Sequence, residues 1–193
     1  MPKDEAFVRM VTARLLVRRF RLSDAGRLAA YRSQPAVCRF QSWGADFGEV
    51  DARNLILDMQ ARHPGTAGEW FQFAVAERDD DCLIGDCGLC ISAAPPWIAE
   101  VGSTIAPACQ GRGYAAEALR AITGYAVHTL GMTTVLGVAD RQNMAALRLM
   151  EALGWRESAG HGPVPPSGPL GEHEVMYRSP AGRPGGQAAL QGR

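Results

Sequence analysis

Residues Gln110-Gly111-Arg112-Gly113-Tyr114-Ala115-Ala116 have the types and spacing most directly suited to chemistry. Two glycines one residue apart let a loop adopt positive φ and approach a ligand closely, so that several backbone N–H groups converge on one point. A helix pattern opens at Tyr114, and its free N–H groups and the positive end of its dipole face the same point. Together these form an anion site suited to a diphosphate, and Arg112 adds a charge-assisted donor. Upstream, Glu100, Gly102, Thr104 and Ala106 share one face of a strand pattern. A carboxylate beside a glycine leaves room for a substrate and can take a proton from an attacking ammonium, directly or through water. The same carboxylate can instead serve as a structural partner for an arginine on a neighbouring strand. Downstream, Asn143 either caps the helix pattern that opens at Met144 or offers its amide to a ligand.

Two other chemistries compete for these residues. Gly111-x-Gly113-x-x-Ala116 also fits the dinucleotide fingerprint, and Asp140 ends the next strand, where a ribose-binding acid would stand. Against a nicotinamide or flavin site, Pro107-Ala108-Cys109-Gln110 separates the strand from the first glycine, and the chain ends too soon for several further βαβ repeats. Cys82-x4-Cys87-x2-Cys90 matches one iron–sulfur spacing. These cysteines alternate with Leu83, Ile84, Leu89 and Ile91 in a strand-like run, whereas a cluster needs a wrapping loop. An odd count of five, without a secretion signal, reads as free thiols, and no metal is expected. Cys109 has no activating His or Asp beside it in sequence, which disfavours a covalent acyl carrier.

The elements that must hold these residues follow from periodicity and breakers. Residues 12–20 read as a strand, and Ser23 and Asp24 as caps for a helix over 24–33. A short helical piece follows Pro35. Val50, Ile56, Leu57 and Met59 mark the buried face of a helix over 48–63, ended by His63-Pro64-Gly65. Strands are expected over 70–77, 82–91, 100–106, 133–139, 155–158 and 174–178. Helices are expected over 114–130, with Leu119, Ile122 and Ala126 facing the core, and over 144–153, closed by Gly131 and Gly154. The order gives a mixed α/β domain over 1–178, antiparallel in front and βαβα behind. Residues 179–193, rich in Gly, Pro, Ala and Gln, read as a disordered tail.

Composition removes several function classes. A chain of 193 residues supports one core. Twenty Lys and Arg balance twenty Asp and Glu, so no global field attracts nucleic acid or an anionic membrane. No apolar run approaches the roughly 18 residues of a membrane span, and the opening Met-Pro-Lys-Asp-Glu lacks the apolar region of a signal peptide. A cytoplasmic protein is expected, with a homodimer allowed.

The combination resembles a known family. Ala99-Glu100-Val101-Gly102, Ile105-Ala106-Pro107 and the stretch from Gln110 to Ala118 are similar to the acetyl-CoA signature of the GNAT superfamily. The stretch from Asn143 to Trp155 resembles its second signature. Thr12 to Phe20 and Leu83-Ile84-Gly85 are similar to the ribosomal-protein N-terminal acetyltransferase (RimJ/RimL-type) branch. The resemblance spans about residues 12–178 and implies an α/β GNAT fold, with a mixed central sheet whose strands splay, flanked by helices. It implies acetyl-CoA-dependent N-acetyl transfer to a primary amine, of a protein or peptide N-terminus or a small molecule, by direct attack in a ternary complex. The alternative is a CoA-binding module without catalysis.

By the same resemblance Gln110, Gly111, Arg112, Gly113, Tyr114 and Ala115 cradle the CoA diphosphate. Backbone groups at Thr104, Ile105 and Ala106 take the pantetheine arm, one N–H there serving as an oxyanion donor, and Asn143 contacts CoA. Glu100 is the general base. The chain departs from the branch at Ala146, where a Ser usually stands to protonate the departing thiolate, and no Tyr occurs from Leu147 to Gly154. The general acid is therefore unassigned, and a thiol pKa near 8.5 lets the thiolate leave unaided. The acceptor's walls are expected from Gln41-Ser42-Trp43 and Pro95-Pro96-Trp97.

Overall fold

The computed structural model describes residues 7–158 and 162–180. Its strands are β1 (Arg9–Val11), β2 (Leu15–Arg18), β3 (Phe71–Glu77), β4 (Leu83–Ile91), β5 (Ile98–Ile105), β6 (Thr134–Asp140), β7 (Arg156–Glu157) and β8 (Glu174–Arg178). They form one sheet in the order β1-β2-β3-β4-β5-β6-β8-β7. Helices α1 (Ala25–Arg32), α2 (Pro35–Cys38) and α3 (Glu49–Ala61) lie between β2 and β3; α4 (Tyr114–His128) joins β5 to β6, and α5 (Met144–Ala152) follows β6. Neighbouring strands are antiparallel except β5 and β6, which run parallel. The expected GNAT architecture is therefore the observed one, and a doubly wound parallel sheet for a dinucleotide is not.

Strand alternation builds a core on each face. On one face Phe71, Phe73, Val75, Cys87, Leu89 and Val101 pack with Leu119, Ile122 and Ala126 of α4. On the other, Ala74 and Leu83 meet Leu28 and Tyr31 of α1 and Ala52 and Ile56 of α3. Each large side chain so buried contributes roughly 1.5–3 kcal/mol. The whole of β4 is buried, as a strand covered on both faces must be. Cys87 and Cys90 point to opposite faces of it, Cys87 opposite Ser103 and Cys90 opposite Glu100, so they cannot share a cluster.

The parallel pairing is short. Ile98, Ala99 and Glu100 pair with Thr134, Val135 and Leu136, and no further rungs follow although β5 continues to Ile105 and β6 to Asp140. The two strands splay from there on. Gly137 lies just past the last rung; a Cβ there would stand 2.8 Å from Met150 Sδ and 2.9 Å from the Trp155 ring, so glycine lets α5 and Trp155 seat against β6.

Three expectations are corrected. The strand expected over 12–20 is shorter, running only from Leu15 to Arg18 as β2, because the chain turns at Thr12–Arg14 to reach Glu117 of α4; β1 lies before that turn. Asp24 does not cap α1 with its side chain, because its carboxylate takes the Arg18 guanidinium and the Arg21 N–H. On α3 the buried stripe is Ala52, Ile56 and Met59, while Val50 and Leu57 are exposed. The chain also stays packed to Ser179, which is buried and donates its N–H to Val135 O at 2.9 Å. The rest of the expected tail, residues 181–193, lies outside the described residues.

Candidate active site

The glycine loop is built for backbone approach. Gly111 has φ +75° and Gly113 φ +81°, values that side chains other than glycine's rarely tolerate, and a Cβ at Gly111 would meet nothing within 4 Å. Gly113 is the N-cap of α4 and supplies no capping side chain, so the first N–H groups of that helix stay open toward the loop. Arg14, from the turn before β2, holds the loop in shape. Its Nη1 donates to the Arg112 carbonyl at 2.8 Å, its Nε donates to Glu117 at 2.7 Å, and its guanidinium lies 4.6 Å from the Tyr114 ring centroid. Glu117 also accepts from Thr12 Oγ1 at 2.6 Å and Arg14 N at 2.8 Å. Burial pushes the Glu117 pKa up, but these donors outweigh it and hold the carboxyl below its ordinary range. The Tyr114 hydroxyl donates to Glu77 at 2.6 Å, which fixes the first residue of α4 against β3 and raises the phenol's pKa.

Beside the loop, the splay leaves backbone groups of β5 facing a gap. Ala106 N donates to Ile84 O and Ser92 N to Ile98 O, each at 2.8 Å, which fixes the phase of the β4–β5 ladder. Residues 100, 102, 104 and 106 thus turn their N–H groups to β4, whereas the N–H groups of Ser103 and Ile105 turn to the gap. Of the expected trio Thr104, Ile105 and Ala106, Ile105 alone faces it, and Ser103 joins it. Gln110 Nε2 donates to Ile105 O at 2.8 Å, tying the loop to the strand's end.

Glu100 stands at the last parallel rung, buried, on the face away from α4. Among the described residues no arginine pairs with it; its Oε2 accepts the Ser167 N–H at 3.1 Å. Burial pushes its pKa above the ordinary carboxylate value, the Ser167 bond pulls back, and the Glu174 carboxylate adds to the rise. Next along that face a Cβ on Gly102 would meet nothing within 4 Å, so the floor beside Glu100 is open.

Asn143 is the helix cap: its Oδ1 accepts the Ala146 N–H at 3.2 Å. Asn143, Ala146 and the half-buried Cys109 all line the cleft that contains the loop, the gap and Glu100. The cleft encloses about 1450 Å³. Its far end is walled by Phe40, Trp43, Phe47 and Trp70, beside Arg32 and the β4 residue Asp86. Of the two tryptophans expected at the acceptor's walls, Trp43 lines the cleft and Trp97, at the opposite end of β5, does not.

Arg14, Glu117, Arg32 and Asp86 carry structural weight that the sequence did not assign them. Their pairings join residues more than fifty positions apart, with no local pattern to mark them.

Residues 14–156 match the acetyltransferase (GNAT) domain. An uncharacterized N-acetyltransferase of Bacillus subtilis, YnaD, is 29% identical over 147 residues, covering 76% of this chain and 82% of that one. The uncharacterized N-acetyltransferase p20 of Bacillus licheniformis is 24% identical over 148 residues, 77% and 82% of the two chains. Among solved structures, a GNAT-family acetyltransferase from Bacillus anthracis superposes with a TM-score of 0.72 at 24% identity, covering 89% of this chain and 97% of that one. The ribosomal-protein-S5-alanine acetyltransferase from Vibrio fischeri gives 0.70 at 16% identity, with 92% and 100% covered. A domain match over most of the chain, on a sheet that opens beside the glycine loop, places this protein among its relatives: the chain belongs to the GNAT acetyltransferase family, whose members use acetyl-CoA as cosubstrate.

Proposed function

We propose that this acetyltransferase acts on a primary amine, of a peptide N-terminus or a small molecule, by direct attack in a ternary complex. The observation that carries the reading is the continuity of one cleft from the Gly111–Gly113 loop, past the β5–β6 gap, to Glu100 and the aromatic far end. The backbone N–H groups of Gln110 to Ala115, with Arg112, take the diphosphate; they suit a tightly apposed anion because Gly111 and Gly113 bring no Cβ into the way. The pantetheine arm lies in the gap, hydrogen-bonded to backbone at Ser103 and Ile105, and Thr104 and Ala106 serve by shaping that strand. Asn143 holds the first turn of α5 beside it.

In the chemical step the amine nitrogen attacks the thioester carbonyl carbon, and a gap-facing N–H stabilises the oxyanion. The C–S bond then breaks and CoA leaves as thiolate. Glu100 takes the ammonium proton directly or through water; a carboxyl whose pKa is raised by burial is better matched to that task near neutral pH than an exposed one. The thiolate is protonated by water, since Ala146 has no proton and the hydroxyls of Tyr114 and Tyr177 are committed to Glu77 and Glu151. Acetyl-CoA turnover against a panel of primary amines, read as thiol release, tests this. Release that depends on the amine and saturates in both substrates supports the ternary complex. An acetylated enzyme formed without any amine overturns direct attack.

A further inference from the structure

The far end of the cleft holds a buried cation that the chemical step does not use. Arg32, at the end of α1, is 2% exposed and lines the cleft. Its Nε and Nη2 donate to the two oxygens of Asp86 at 3.2 and 2.9 Å, and the Tyr31 hydroxyl donates to the same carboxylate. The ring of Trp43 covers the guanidinium at 4.0 Å, with Phe47 at 5.4 Å, and the Trp43 indole N–H donates to Arg32 O at 3.3 Å. Asp86 and Trp43 thus fix one edge and one face of the guanidinium. Nη1, on the edge away from Asp86, makes no hydrogen bond among the described residues. Thr123 Oγ1 is the one side-chain polar atom among them that is both sealed from solvent and unpartnered, so Nη1 keeps access to the cleft.

We propose that Arg32 Nη1 binds a carbonyl or carboxylate oxygen of the acceptor, and so selects amines that carry one; this rests on the acetyltransferase reading of the cleft. The register supplies the spacing. Asp86 is paired with Thr104, Gly88 with Gly102 and Cys90 with Glu100, each pair one strand repeat, about 7 Å, from the next. An amine over the open floor at Gly102 therefore lies between its base and Arg32, with its oxygen end toward the guanidinium. Trp70, whose ring would stand 3.0 Å from a Cβ at Gly88, adds an aromatic edge beside the floor. A fixed guanidinium N–H on a buried side chain discriminates strongly, because an acceptor that covers it without offering an oxygen takes it from water and leaves the donor unpaired.

The test compares phenethylamine, phenylalaninamide and phenylalanine, which share an amine and an aromatic group and differ in the oxygen. A neighbouring carbonyl also lowers amine basicity, so the primary readout is binding to the CoA-saturated enzyme by calorimetry and by Trp43 emission, with Trp43→Phe as the emission control. At least about tenfold tighter binding of the oxygen-bearing pair is expected from a hydrogen bond to a charged group. Preference for phenylalanine points to free amino acids, and parity between it and the amide points to peptide-like carbonyls. In Arg32→Lys, which leaves Asp86 a cation, the preference should vanish while the Kd values for phenethylamine and acetyl-CoA stay put. Equal binding of all three by the unaltered protein overturns the assignment, whatever the variant does. Thiol release from acetyl-CoA, in separate samples with the same amines, tests the transferase reading: release alongside equal binding sinks Arg32 alone, whereas selective binding without release by any amine sinks the reading and keeps the site.

Discussion

The two ends of the cleft are built by opposite means. The end proposed for CoA is made of backbone: two glycines at positive φ, an uncapped helix start and a strand whose partner has parted from it. The end proposed for the acceptor is made of side chains carried in from distant elements: Arg32 from α1, Trp43 and Phe47 from the loop before α3, Trp70 before β3, Asp86 from β4 and Glu100 from β5. Backbone recognition needs a contiguous run of residues and so leaves a mark in sequence. Side-chain recognition needs only that the fold bring residues together, and their types alone say little. The glycine-loop end is therefore legible in sequence, and the aromatic end is written in tertiary structure.

That contrast predicts where single substitutions act. Glu100→Gln, at the junction of the two ends, should lower kcat by roughly 10²–10⁴ and leave the acetyl-CoA Kd near its starting value. The acid limb of the pH–rate profile should disappear with it. The same change should raise the melting temperature at pH 8 but not at pH 4. A carboxyl whose folded pKa lies above its unfolded value stabilises the fold below the unfolded pKa, and that stability is lost as pH rises through the folded one. Wild-type turnover in this variant from pH 6 to 9, on a competent acceptor, would assign Glu100 to structure.

Gly113→Asp should act on the CoA end alone. It places a carboxylate where the diphosphate is proposed to sit and a Cβ at φ +81°, 3.4 Å from Arg14 Nη2. Like-charge juxtaposition costs several kcal/mol, so acetyl-CoA affinity should fall on the order of 10²-fold or more, with far-ultraviolet circular dichroism unchanged. Calorimetry showing CoA bound as before would remove the loop from the site.

Arg14→Ala tests a support that is itself tertiary. Loss of the bond to Arg112 O and of the pairing with Glu117 should loosen the loop without touching the acceptor. Bonds of a charged group at a half-exposed site are worth about 1 kcal/mol, so the KM for acetyl-CoA should rise about fivefold with kcat and acceptor KM little changed. A fall in kcat at unchanged KM would show the clamp acting on chemistry instead.

These cases show what the sequence carried. Most element positions were readable, because Leu119, Ile122 and Ala126 or the β4 run announce their period, and the start of α4 was marked by its glycines. The Arg14–Glu117 clamp and the Arg32–Asp86 pair had no such mark, being contacts across the fold. The Pro95-Pro96-Trp97 loop misled because a tryptophan beside a strand looks the same at either end; only topology says that β5 splays at its other end. On α3 the chosen stripe included Val50 and Leu57, when the burial of small Ala52 sets the true one.

The smallest expected effect lies where the sequence departs from the signature it resembles, at Ala146. This residue lines the cleft in the first turn of α5, and its N–H is already held by Asn143 Oδ1. A hydroxyl at this position would extend a side chain without disturbing the cap, so Ala146→Ser should fold as the parent does. If the thiolate now leaves with water as its only donor, the added hydroxyl should raise the catalytic rate by a few-fold at most. A thiol near pKa 8.5 is already a good leaving group, and general acid help yields least there. Because product release can mask so small a change, the deciding measurement is single-turnover kinetics at saturating acceptor. Equal single-turnover rates in parent and variant would show that proton supply to sulfur does not limit the reaction. A faster variant would place the sulfur beside the first turn of α5, which would fix the thioester between Asn143's helix and the open floor at Gly102.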